Sequence, residues 1–274
     1  MKIGLALGGG GVRGLAHISV LETLDELGIK PDIIAGSSMG AIIGALYASG
    51  LSGKEIRERI RNVLIQKDDT WRDIVAKKSD LLKLVKAFSA EIPRGGFINT
   101  QGFIQYLLNE IKKRTFEELE IPLLVIAADY WTAEEIVFEK GGLLPALQAS
   151  MAVPGVFAPV SIAGRVLVDG GVVNLVPYDR LFDRADFTIA VDVSKVRNPG
   201  KNEIPGALES VLGSFNIMQA SALAAKVKIR KPDIYVQTEI QDIRMLDFAK
   251  TGEVFRQAAP AIASLKKQLK NLKI

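Results

Sequence analysis

Cysteine is absent from this chain and histidine occurs once, at position 17. The first absence excludes disulfides and thiol nucleophiles; the second excludes a metal site built on several imidazoles. No apolar run reaches the ~20 residues that a membrane-crossing helix needs, because glycine or charge interrupts each one. Excess charge of one sign is also small: the net +4 is too diffuse for a nucleic-acid surface, though it suits an anionic surface or an acidic substrate. The start, Met1-Lys2-Ile3-Gly4-Leu5-Ala6-Leu7, is too short in its apolar part for a secretory leader. A mature cytoplasmic chain, touching membrane at most peripherally, is expected.

What is present is core-forming sequence and glycine. The 274 residues are 48% hydrophobic, enough for one large α/β domain or two small ones. With no repeat, low-complexity tract or linker to divide it, residues 1–274 read as one domain. Much of the glycine clusters at 8–14 and 164–171.

The stretch Ile33 to Ile43 organises the rest. It reads as a short apolar strand, a tight turn and a helix running to about Gly50, and Gly36-Ser37-Ser38-Met39-Gly40 fits the nucleophile elbow G-x-S-x-G. A strand turning directly into a helix needs glycines on either side of the turn residue, which leaves the Ser38 hydroxyl at the top of the sheet. The blander alternative is a glycine-rich junction with serines as helix caps.

Lys2 to Leu7 reads as a strand feeding Gly8-Gly9-Gly10-Gly11-Val12-Arg13-Gly14, then a helix from Leu15 to Leu27 stopped by Gly28. With the strand before Ser38 this makes a βαβ unit and predicts parallel strands. Gly9-x-Gly11-x-x-Gly14 also matches a dinucleotide fingerprint, which needs an acid at the end of the second strand. That position carries Ser37-Ser38, and Asp32 precedes the strand, so NAD binding is disfavoured. Consecutive backbone N–H groups can instead hold an oxyanion. Arg13 can steady this loop or meet an anionic head group.

Residues 52–92 read as charged and helical, with a Leu81/Leu84/Val85/Phe88 stripe among lysines that suits either a surface helix or a lipid interface. A turn at 94–96 and a helix from Thr100 through Arg114 follow, then a capping box at Thr115-x-x-Glu118. Strands are predicted at 122–129, 136–138, 187–193 and 233–238, and a hairpin over 162–168. Helices are predicted at 145–152, up to about 229 after a loop at 195–206, and at 252–270. The hairpin delivers Asp169-Gly170-Gly171; alone, this is an Asp-Gly turn.

In order and spacing, the Gly9–Gly14 loop, the Gly36–Gly40 elbow and Asp169-Gly170-Gly171 together resemble the patatin-like phospholipases, the bacterial single-domain members in particular. The resemblance extends to Ala149–Phe157 and to Asp169–Pro177 and covers most of residues 2–193. From about residue 200 it holds in outline. At Thr132-Ala133-Glu134 it departs, since a glycine is expected there. It implies a three-layer α/β/α sandwich with a mostly parallel sheet, and hydrolysis of lipid or acyl-ester substrates by a Ser–Asp dyad without metal or cofactor. Ser38 would be the nucleophile, Asp169 the proton acceptor, and the N–H groups of Gly10, Gly11 and Met39 the oxyanion hole. Gly9, Gly14, Gly36, Gly40, Gly170 and Gly171 are the motif glycines. A carboxylate is a weak base for a hydroxyl, so such a dyad relies on partial desolvation of Asp169. An acyltransferase using the same serine, a silent membrane-surface protein and a nucleotide-binding module are the rival readings.

Overall fold

The computed structural model describes residues 1–64, 112–194, 204 and 206–272. The stripe at 77–88, the turn at 94–96, the helix expected from Thr100 as far as residue 111 and most of the loop at 195–206 lie outside the described residues; the last three residues expected in that helix, Lys112 to Arg114, are described and are not helical.

Eight described strands form one sheet: β1 (Ile3–Leu7), β2 (Ile33–Ser37), β3 (Leu123–Asp129), β4 (Glu135–Phe138), β5 (Val160–Ile162), β6 (Arg165–Asp169), β7 (Phe187–Asp192) and β8 (Ile234–Gln237). The order is β5-β6-β3-β2-β1-β7-β8, with β4 also pairing β3. β3, β2, β1, β7 and β8 run parallel, while β4, β5 and β6 pair antiparallel.

Burial on both faces explains the near-continuous apolar strands. Leu5, Leu7, Ile34, Val125, Ile189 and Val191 point into the larger core, beneath α1 (Ala16–Glu26), α2 (Met39–Ala48), α3 (Gly53–Leu64) and α6 (Thr251–Asn271). Their neighbours Ala6, Ala35, Leu124 and Ala190 face a thinner layer containing Tyr178, Leu181 and Leu223, the last from α5 (Ala207–Ile229). Helices thus flank a central, mostly parallel sheet, as the sequence predicts.

Local differences have local causes. The chain enters α1 through a tight 3-10 turn at Gly11–Leu15, so the α-helix proper starts one residue later than Leu15. It ends in a Schellman motif, with Gly28 at φ 69° and Ile29 N–H donating to Leu24 O at 2.9 Å. α4 (Leu143–Ser150) begins two residues before Pro145, which the first helical turn tolerates because its missing N–H has no partner to lose. The β5–β6 hairpin turns at Ala163 and Gly164, both at positive φ, as a two-residue turn requires. Ala133, where a glycine is expected, takes φ 58°. The capping box at Thr115 and Glu118 is present.

Register on β3 fixes the site. Val125 to Ala128 pair with β4 along one edge. The opposite edge therefore carries β2 as far as Ile126, opposite Ser37, and then β6 from Ala127, opposite Asp169. Ser37 and Asp169 sit at consecutive rungs, about 3.3 Å apart along β3.

α2 presses against the end of β1: a Cβ on Gly40 would lie 2.1 Å from the Leu7 carbonyl oxygen. Gly40→Ala should therefore cost about 3 kcal/mol, the upper end for overpacking. Gly252→Ala, in the first turn of α6 where a Cβ meets nothing within 4 Å, should gain about 0.5–1 kcal/mol. Urea unfolding of the two variants measures both.

Candidate active site

Ser38 is the single residue between β2 and α2, and it takes φ 54°, ψ −125°. That region is costly for a side-chain-bearing residue, on the order of 1–3 kcal/mol. The neighbours hold it there. A Cβ on Gly36 would lie 2.5 Å from Ala41 Cα, so the strand passes within contact distance of the helix. The Ser38 N–H donates to Ser150 Oγ at 2.9 Å, and its carbonyl accepts from Ala41 N–H at 3.0 Å. Ser37, by contrast, is fully buried with its hydroxyl unpartnered.

The glycine loop over Ser38 divides its donors. Gly8 N–H donates to Val191 O, Gly9 N–H to Leu175 O and Val12 N–H to Met245 O, at 2.8 to 3.0 Å. Among the described residues, the N–H groups of Gly10 and Gly11 find no acceptor. Arg13 Nε donates to Gly10 O at 3.1 Å, and because a trans peptide opposes its C=O and N–H, this turns the Gly11 N–H the other way. Gly11 sits at φ +57°, with space for a Cβ already taken by Met245. Burial pulls Arg13 down to about 10, opposed by Asp192, so it remains a cation.

His17 supports the same loop from beneath. Its Nε2 is 2.7 Å from Gly8 O and donates to it, leaving Nδ1 as the bare nitrogen, buried and unpartnered. Burial lowers its pKa to about 4, against the Gly8 bond and Asp192, so the ring is neutral at physiological pH. Asp32, the acid that a dinucleotide site would have needed further along, caps the Ile3 N–H at 2.7 Å.

Asp169 ends β6 and begins a 3-10 turn at Gly170–Val172. Its Oδ1 accepts from Gly171 N–H at 2.7 Å. Gly170 is required because a Cβ would meet Ile126 O at 2.2 Å. Asn174 N–H returns to Gly170 O at 2.8 Å, and the Asn174 side chain accepts from Lys226 Nζ of α5 at 2.6 Å, tying the turn to that helix. Burial raises Asp169 to about 6, more than the Ser38 hydroxyl and the Gly171 N–H lower it. Its Oδ2 has no hydrogen-bond partner of good geometry, and such contacts in resting sites commonly tighten when substrate binds.

Ser38, Asp169 and the Gly9–Gly11 loop line one cleft, with Phe215, Asn216 and Gln219 of α5 also on its wall. The residues that carry a hydroxyl, a buried carboxyl and two N–H groups without an acceptor among the described residues therefore line one space, equipment suited to acyl transfer. Among the described residues no group of three His, Asp or Glu could hold a metal ion, and no helix is long and apolar enough to cross a membrane.

A family model described as patatin-like phospholipase matches residues 5–182. The chain belongs to that family. An uncharacterised NTE family protein of Mycobacterium tuberculosis is 32% identical over 194 residues, 70% of this chain and 49% of the relative. A patatin-like phospholipase domain-containing protein of Caenorhabditis elegans is 35% identical over 278 residues, 92% of this chain and 20% of the relative. The chain thus spans about half the length of the mycobacterial relatives and a fifth of the animal one. Among solved structures, VipD from Legionella pneumophila superposes with a TM-score of 0.51 at 13% identity, covering 96% of this chain and 66% of that one; this likeness concerns the fold.

In this patatin-like chain the structure brings Gly9, Gly10, Gly11, Arg13, Ser38 and Asp169 of the three motifs to one cleft. It adds three that sequence reading assigned no role: Ser150 as acceptor for the Ser38 N–H, Met245 O as acceptor for Val12 N–H, and Asn174 behind the Asp169 turn. Ser150 lies within a stretch that carries the resemblance, yet a serine in a small-residue helix gives no cue to its partner.

A carboxyl whose pKa rises on folding loses stability as pH climbs from the free value of 3.8 through about 6. Asp169→Asn should therefore stabilise the protein at pH 8, by up to about 3 kcal/mol, and by almost nothing at pH 3. Paired thermal melts across that range test it.

Proposed function

We propose that the chain is a serine acyl hydrolase that cleaves carboxylic esters of lipids through a Ser38–Asp169 dyad and an acyl-enzyme. The observation that carries this reading is that Gly10 and Gly11, whose N–H groups find no acceptor among the described residues, line the same cleft as Ser38 and the buried Asp169. The family relationship supports lipid hydrolysis in general.

In the first half-reaction the Ser38 hydroxyl gives its proton to Asp169 as Oγ bonds to the ester carbonyl carbon. The carbonyl oxygen becomes an oxyanion, held by the N–H groups of Gly10, Gly11 and Met39. Collapse breaks the bond to the alcohol, which takes the proton from Asp169. Water then attacks the acyl-enzyme, giving its proton to the same carboxylate, and the acid departs as Ser38 is restored. A pKa near 6 makes Asp169 a stronger base than an exposed carboxylate while leaving it ionised at neutral pH.

His17 has no part in these steps. It is neutral, occupied with Gly8 O, and lines neither side of the cleft.

A fluorophosphonate should label Ser38 and leave Ser37 unmodified, as read by peptide mapping. Ser38→Ala should lower kcat on phospholipid and p-nitrophenyl esters by up to ~10⁶-fold, the scale for a removed serine nucleophile. Because the base must be ionised, kcat/KM should fall as pH drops through about 6. His17→Gln, which keeps a donor for Gly8 O, should stay within about tenfold of wild type. Loss as deep as that of Ser38→Ala, with the circular dichroism spectrum intact, would make His17 the base.

A further inference from the structure

A second, narrow cleft also opens at Ser38. Gly11, Val153 and Met245 belong to both clefts, and beyond them the walls diverge. The first holds Asp169 with the polar Arg13, Ser194, Asn216 and Gln219. Among the described residues the second is lined beyond these by Met39, Met151, Phe157, Leu246 and Phe248, none of which carries a carboxyl group.

The chemistry above assigns the two. When the tetrahedral carbon collapses, the departing oxygen needs a proton, and Asp169 supplies it from the first cleft alone. The carbonyl oxygen points to the glycine loop. The remaining substituent, the acyl chain, is left the second cleft, whose apolar walls favour a hydrocarbon and would strand a polar alcohol without partners. Three methionines around the junction, Met39, Met151 and Met245, are unbranched and adapt to chains of differing bend. The wall made by Met245, Leu246 and Phe248 is also tied to the oxyanion loop by the Val12 N–H to Met245 O bond, which keeps chain site and charge site in one frame.

We propose that the Met39/Phe157/Phe248 cleft binds the acyl chain and the Asp169 cleft the alcohol, with Leu246 at the rim limiting chain length. This rests on the serine-hydrolase reading. Leu246 is 43% exposed, so its replacement leaves the core intact.

The experiment measures kcat/KM on two ester series: p-nitrophenyl esters of rising acyl length, and butyrate esters of differing alcohols. In Leu246→Trp the dodecanoate-to-butyrate ratio should fall by about tenfold or more, with the alcohol ratios moving less than twofold. Leu246→Ala should move the chain-length ratio the opposite way, and it serves if the tryptophan variant misfolds. Asn216→Trp should shift the alcohol ratios and spare chain length. If Leu246→Trp changes alcohol preference alone, or neither ratio, the assignment is overturned. Failure of the hydrolase reading would look different: no ester turned over by wild type, and no fluorophosphonate adduct at Ser38.

Discussion

One edge of β3 is shared by two strands that never pair with each other, and the site exists because of where they meet. β2 leaves that edge opposite Ile126 and β6 takes it up opposite Ala127. A parallel strand and an antiparallel one thus arrive from different parts of the chain and end at the same height. The residue after Ser37 and the last residue of β6 then face one space without any loop having to reach. Slipping β6 by one rung would turn Asp169 to the other face of the sheet. The carboxyl's position is therefore as firmly set as the core that fixes the register.

Around that meeting point the backbone spends its hydrogen bonds selectively. The glycine loop has five consecutive N–H groups from Gly8 to Val12; the first two and the last are satisfied by β7, the 175–176 turn and the 245 segment. Among the described residues the two between are left over. Arg13 and His17 reinforce this division by taking the carbonyls of Gly10 and Gly8. Both side chains are charged or titratable, buried, and used for their donors. Asp192 faces both electrostatically, while its own oxygens are occupied by Tyr235, Gln237 and the Ser194 N–H. The cation of Arg13 is thus balanced at a distance, and among the described residues no ion pair to it is drawn into the cleft.

Much of this was legible in the sequence because glycine marks close backbone approach. Gly36, Gly40 and Gly170 stand where a Cβ would collide with main chain, and each lies in a motif visible by eye. The parallel core was legible from its uninterrupted apolar runs. Less legible were contacts made by ordinary residues. Nothing in a Ser-Met-Ala context marks Ser150 as the partner of a backbone donor over a hundred residues away. Met245 acts through its carbonyl, which every residue has. Ala133 holds a left-handed turn that glycine would hold more easily, with Asp129 Oδ1 accepting the Trp131 N–H at 3.0 Å inside the same turn. The antiparallel return of β6 was readable as a hairpin, but its landing place on β3 was a tertiary fact.

The backbone of Ser38 gives the molecule a built-in direction of drift. Glycine would relax at φ 54°, so a line of descent no longer selected for turnover gains stability by discarding the hydroxyl. Enrichment for heat resistance or yield in the laboratory pulls the same way. A relative carrying glycine at this position, with the loop, the buried acid and both clefts kept, would be a more robust protein than this one and, on the proposed hydrolase reading, would bind the esters without cleaving them.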